Sequence, residues 1–204
     1  VATTAADKRV RRVKPAEERR RDLLDAALVV FVRDGLAEAT IEEVTRTAGM
    51  SKGSFYLHFT TKDELAAAAW ERHMTAFAGL GEAILADASS PLSDRLVAVL
   101  ESLTRFVLDH GEVHRALYAV AGAEAVKNAA NERLIDLIAG AARAGLEAGV
   151  LSVAEPEITA RALYHGYCGA VTDVVAGSAV IDAELLIRHA GAMTRAVFPP
   201  SASA

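Results

Sequence analysis

The chain is predicted to be all-α, an N-terminal three-helix unit followed by a larger helical bundle, about nine helices in total. Three observations predict it. Apolar residues recur at helical spacing, helix caps and glycine stops punctuate the chain, and no alternating strand pattern occurs. The 204 residues are 52% hydrophobic, enough to bury a real core, and only 5% aromatic. Runs of Val, Ile and Thr between turn residues are scarce, which disfavours a sandwich or barrel.

Residues 1–16 lack apolar periodicity and end near Pro15, so they read as a flexible basic arm. A first helix starts at Glu17, with Leu24, Leu28 and Phe31 on one stripe and Leu23 and Ala27 beside it, and stops at Asp34-Gly35. Thr40-Ile41-Glu42-Glu43 is a capping box opening a short second helix that closes at Ala48-Gly49. Ser51 caps a third segment reaching Phe59, with Phe55 and Phe59 at i, i+4. A second capping box, Thr61-Lys62-Asp63-Glu64, opens a long fourth helix ending near Gly79–Gly81. Further helices are expected at about 91–110, 112–121, 123–148, 156–176 and 182–197, with Pro156 in a first turn and Gly111, Gly122, Gly149 and Gly177 as stops.

Composition excludes several classes. The single cysteine, Cys168, leaves no internal disulfide and no multi-thiolate metal site, and points to a reducing cytoplasm. The longest stretch without Asp, Glu, Lys or Arg is Ala162–Thr172, eleven residues, too short to span a membrane. No secretory leader is expected, because the basic N-terminal stretch runs into an amphipathic segment. No Gly-rich phosphate loop, G-x-S-x-G, His-Glu-x-x-His or Glu-x-x-His occurs, so catalysis, cofactors and bound metals are not expected. His110 and His114 stand at i, i+4, but Gly111 between them breaks the helix such a metal pair needs.

Charge is unevenly divided. The whole chain carries −5, yet residues 1–62 hold 12 Lys/Arg against 9 Asp/Glu, and residues 63–204 hold 10 against 18. A basic end on an acidic body is the footprint of polyanion binding, or of a solvated tail carrying Arg9, Arg11, Arg12 and Lys14. The helix-turn-helix candidate Thr40–Phe59 weighs toward DNA. Lys52 and Lys62 open helices, where the macrodipole disfavours a cation unless an anion is bound. Gly53 costs about 1 kcal/mol of helix propensity but lets the backbone approach a ligand surface. Tyr56 and His58 lie off the Phe55/Phe59 stripe and turn polar tips outward.

The string Thr40-x-x-Glu43-Val44, Ala48-Gly49-Met50-Ser51-Lys52-Gly53-Ser54-Phe55-Tyr56-Leu57-His58-Phe59, then Lys62 and Leu65, resembles the DNA-binding signature of the tetracycline-repressor (TetR) family of bacterial transcriptional regulators. The resemblance covers Glu17 to Leu65, and the rest fits by length, helical content and helix spacing. It implies that Ser51, Lys52, Gly53 and Ser54 enter the major groove, with Ser54 and Lys52 at base edges. Thr40, Tyr56, His58 and Lys62 would hold phosphates, and Phe55 and Phe59 would pack beneath. The domains are then an arm (1–16), a DNA-binding unit (17–62), a regulatory and dimerisation bundle (63–198) and a tail (199–204).

The bundle gives its own signals. Small residues Gly166, Gly169 and Ala170, repeated as Ala190, Gly191 and Thr194, allow close helix approach. Leu163, Val171, Val174, Leu186, Met193 and Val197 supply burial beside them. The expected homodimer interface is Gly166, Ala170, Val174, Leu186, Ala190, Met193 and Val197, with purely intramolecular packing as the other reading. Trp70, Met74 and Phe77 form one stripe and Leu103 and Phe106 another, either core or the wall of an effector site. His110, Tyr118, Tyr164 and Tyr167 are the polar-tipped candidates there, with Asp173 and an exposed or inward His114 beside them. The resulting expectation is a ligand-responsive repressor on double-stranded DNA, released by a small, largely apolar effector that tilts the fourth helix. An activator, or an apolar-ligand-binding bundle without DNA function, is the alternative.

Overall fold

A computed structural model describes residues 14–118 and 124–202, with side chains of 118, 124–128 and 130 left aside. Nine α-helices and no named strand occur among the described residues. They are α1 (Ala16–Asp34), α2 (Ile41–Thr47), α3 (Lys52–Phe55), α4 (Lys62–Ala86), α5 (Leu92–Asp109), α6 (Gly111–Tyr118), α7 (Glu124–Glu147), α8 (Pro156–Ala176) and α9 (Ala183–Val197).

The head is built around α1. Its buried stripe, Leu23, Leu24, Ala27, Val30 and Phe31, meets Val44 of α2, Phe55 of α3 and Leu65, Ala66 and Ala69 of α4. Gly35 at φ 81° ends α1, and its N–H closes on Phe31 O at 3.0 Å. The caps form at the expected threonines, Thr40 Oγ1 accepting from Glu43 N (3.2 Å) and Thr61 Oγ1 from Glu64 N (3.0 Å). In the second box the Glu64 carboxylate turns to Thr60, accepting from its N–H at 2.7 Å and its hydroxyl at 2.6 Å.

Three expected boundaries move. Ala16 already belongs to α1, and Lys14 folds back onto Asp22 at 2.6 Å, so the end of the supposed arm is part of the head. Arg9, Arg11 and Arg12 lie outside the described residues. The fourth helix runs past Gly79 and Gly81 to Ala86. Gly81 is buried against α5 and α7, where an added Cβ would stand 3.1 Å from Leu137 Cδ2, so it admits a neighbouring helix and does not end its own. Residues 199–201 are pinned: Ser152 N donates to Pro199 O (2.9 Å) and Ser201 N to Val150 O (3.1 Å), beside a fully buried Phe198.

In the body, α4 packs on α5 and α7, α8 lies along α7, and α9 lies along α5. Exposed ion pairs cross these seams, among them Arg161 with Glu132 (2.6 Å), Arg105 with Glu184 (2.7 Å) and Arg195 with Asp94 (2.8 Å). Each contributes at most about 1 kcal/mol, so burial carries the fold. Head and body share one apolar core, continuous through α4.

Two glycines of α7 separate packing from propensity. A methyl at Gly145 would lie 2.5 Å from Leu151 Cδ1 and 2.7 Å from Leu92 Cδ2, whereas Gly140 has nothing within 4 Å. Urea denaturation should show Gly140→Ala gaining up to about 1 kcal/mol. Gly145→Ala should lose about 1–2 kcal/mol, since crowding there outweighs the same propensity gain.

Candidate functional site

Two regions gather the sequence-selected residues: the outer face of the head, and a cavity in the body.

At the head, α3 is a single α-helical turn, Lys52–Phe55, followed by turn residues to His58. Ser51 caps it, its Oγ accepting from Ser54 N at 3.2 Å and lying 3.1 Å from Ser54 Oγ. Phe55 and Phe59 are buried with ring centroids 5.9 Å apart, and Arg20 lies over the Phe59 ring at 5.1 Å. They anchor a face on which Thr40, Ser51, Lys52, Gly53 and Tyr56 are exposed, Ser54 and His58 half-buried. Gly53 is required neither by its backbone nor by packing, since a Cβ there would meet only Ser51 Oγ at 3.8 Å. Leu57, 76% exposed beside Tyr56, is an apolar member of this face that the polar-residue reading passed over.

The two lysines differ. Lys62 is half-buried and its ammonium donates to three carbonyl oxygens of the α1–α2 connection: Leu36 (2.7 Å), Ala37 (3.0 Å) and Ala39 (2.9 Å). With all three donors engaged, it ties the start of α4 to the head's corner and holds no proton free for a phosphate. In the free chain Lys62 thus has a structural role, beside the phosphate role expected of it. Lys52 remains at the surface, where Glu42 of α2 pairs with it. Glu42 holds the Lys52 ammonium more firmly protonated through that hydrogen bond, and its own carboxyl is pushed below the usual range by the same contact.

A narrow cavity of about 40 Å³ lies between α4, α5, α6, α7 and α8. Trp70, Met74 and Phe77 line it from α4; Leu100, Leu103, Thr104 and Val107 from α5. His114 comes from α6 and Asn131 from α7; Tyr164, Tyr167, Cys168, Val171 and Thr172 come from α8. The expected stripes thus meet, although Phe106 and His110 stack on each other outside the lining, centroids 4.4 Å apart. The Tyr118 side chain lies outside the described residues. Sequence reading missed Asn131, Thr104 and Cys168, yet 164, 167, 168, 171 and 172 form one helical stripe, a signal available beforehand.

No lining residue carries a formal charge at neutral pH. Tyr164 Oη donates to Asn131 Oδ1 at 2.9 Å, and Thr104 Oγ1 to Leu100 O at 2.7 Å. Burial pushes the Cys168 thiol and the Tyr167 phenol up, keeping both protonated. His114 is buried, its ring 5.2 Å from Trp70 and 6.1 Å from His73. Desolvation first, then repulsion from the His110 imidazole for His73 and from the His73 imidazole for His114, lowers both to about 4. Among the described residues no His/Cys/Asp/Glu group is placed to hold a metal, and no helix is long and apolar enough to cross a membrane.

Of the expected dimer set, some members already pack within this chain. Leu186 and Ala190 are buried on the inward face of α9, against α5, and Val174 and Val197 are half-buried. Gly166 and Met193 are exposed, Ala170 half-buried.

Residues 23–69 match the family model for bacterial regulatory proteins of the tetR family. The regulator SrpR of Pseudomonas putida is 46% identical over 50 residues, 24% of either chain. The activator FasR of Mycolicibacterium smegmatis is 33% identical over 105 residues, 51% of this chain and 47% of that one. The chain spans about a quarter to a half of the length of the curated relatives it matches. Among solved structures, SmeT, the repressor of the Stenotrophomonas maltophilia multidrug efflux pump SmeDEF, aligns with TM-score 0.74 at 26% identity, over 88% of this chain and 89% of that one. A SmeT–triclosan complex aligns with TM-score 0.67 at 27% identity, over 89% and 91%.

Two outcomes follow from this geometry. Lys62→Met strands three carbonyls and should cost about 1–3 kcal/mol in urea denaturation, while leaving the salt slope of duplex binding unchanged; a slope flattened by about 0.9 would establish the phosphate role. An unstructured histidine titrates near 6.5, so between pH 6.5 and 4 the unfolded chain binds protons that folded His73 and His114 refuse. Stability is full above about pH 6.5 and falls as pH drops toward 4, most through His114, since His73 keeps some access to water. NMR titration should place both midpoints below 5; midpoints near 6.5 would contradict the burial argument.

Proposed function

We propose that this protein, whose residues 23–69 match the family model for bacterial regulatory proteins of the tetR family, is a ligand-responsive transcriptional regulator. In this reading it is a repressor, released from a palindromic operator by a small, neutral, largely apolar effector. One observation carries the reading: a helix-turn-helix head and an uncharged cavity are two ends of one core, joined by α4. Lys52 and Ser54 are assigned to base edges, and Thr40, Ser51, Tyr56 and His58 to phosphates and register. Lys62 keeps α4 and the head in fixed relation.

The cavity supports the effector class. An anionic ligand would meet no cationic side chain there, and a cationic one no carboxylate. Aromatic and aliphatic walls with Tyr167 and Thr172 at hand suit a neutral ring system bearing one or two polar atoms. The solved SmeT–triclosan complex agrees with an aromatic occupant. The dimer surface is assigned to the exposed stripes of α8 (Ile158, Ala162, His165, Gly166, Gly169) and α9 (Leu185, His189, Ala192, Met193). Their small residues let a second copy approach closely. An activator keeps every structural element of this account, and the match to FasR leaves that sense of regulation as the second reading.

The test is selection of bound fragments from sheared genomic DNA of the source organism. A palindromic site with half-sites about one helical turn apart is expected. Affinity for it should fall by about 10³–10⁵ between 50 and 200 mM salt if six or more phosphates are held. Recovery of no common sequence, with salt-independent retention, would leave the apolar-ligand bundle as the better description.

A further inference from the structure

The head is basic only on paper. Residues 14–62 hold eight Lys/Arg and eight Asp/Glu, so the folded head has no net formal charge. Four of its eight cations are also held by its own acids: Lys14 by Asp22 (2.6 Å), Arg33 by Asp34 (2.6 Å) and Glu43 (3.5 Å), Arg46 by Glu43 (3.6 Å), and Lys52 by Glu42. The last pair matters most, because Lys52 stands on the turn that the DNA reading places in the groove, while Glu42 reaches it from α2. Ten residues separate them, and both side chains are more than half exposed.

From this arrangement we infer that Glu42 is an internal competitor of DNA, occupying Lys52 in the free protein so that any duplex must displace a carboxylate before a phosphate or base edge can take its place. An exposed pair is cheap to break, so the competition trims affinity without abolishing it. The trimming falls on every sequence alike, whereas contacts to the correct bases are gained only at the right site. A penalty common to every sequence cancels in the difference between operator and background, so Glu42 sets how tightly the head holds any duplex, and with it occupancy at a given concentration, without touching DNA.

The inference rests on the DNA-binding reading, and a four-way comparison tests it separately. Fluorescence anisotropy would measure binding of a labelled random-sequence duplex to the full chain, Glu42→Gln, Lys52→Met and the double variant, with melting curves confirming the fold. Glu42→Gln should raise affinity about two- to fivefold, the factor freed when an exposed ion pair need not be broken. On the Lys52→Met background the same change should do nothing, and Glu42→Ala should repeat both results. An equal gain in both backgrounds means bulk charge alone and overturns the inference, as does an unchanged or weaker Glu42→Gln. A full chain that binds no duplex defeats instead the regulator reading beneath it.

Discussion

The structure depends on the double burial of α4. Near its start Leu65, Ala66 and Ala69 complete the core of the head, and one turn further Trp70, Met74, Phe77 and Ala78 complete that of the body. A boundary drawn between 62 and 63 on charge and motif cuts through neither a loop nor a hinge. Burying that many side chains along one rod stabilises both halves by several kcal/mol, and neither half keeps its core without it. The rod is fixed at its beginning by the Lys62 ammonium among three carbonyls, so its first residue cannot shift without carrying the α1–α2 corner.

Electrostatics complement that mechanical continuity. In a balanced head with acids laid across its own cations, an arriving polyanion would meet charges already paired. The body meets the opposite condition: its cavity excludes formal charge, and the groups that would carry it are held neutral by burial. Surface and interior thus offer two kinds of contact, one weakened by salt and one indifferent to it.

Much of this was legible in the residues. Capping boxes at Thr40 and Thr61 and the Gly35 stop fixed the starts of α2 and α4 and the end of α1 to within a residue, because each is a local interaction between near neighbours. By contrast, α3 ends at Phe55, four residues short of the expected Phe59. What escaped was non-local. Gly81 read as a helix end, since nothing nearby in sequence announces Leu137. Lys62 at a helix start looked like an anion ligand, and only the fold brings Leu36, Ala37 and Ala39 beneath it. On α9, small and apolar residues occur on both faces, so Leu186 and Ala190 were indistinguishable from Leu185 and Ala192 until α5 covered one side. His114 could be placed inward only once Trp70 and His73 were seen around it.

One consequence of the Tyr164–Asn131 hydrogen bond reaches beyond its geometry. Two of the chamber's strongest polar atoms satisfy each other, so an incoming molecule that lacks a matching hydroxyl strands neither of them. Chambers of that kind rank guests by bulk and contour, at roughly ten- to two-hundredfold per methylene, and forgive missing functional groups. Were this one an effector site, it would answer to a shape shared by many compounds, a generalist's vocabulary.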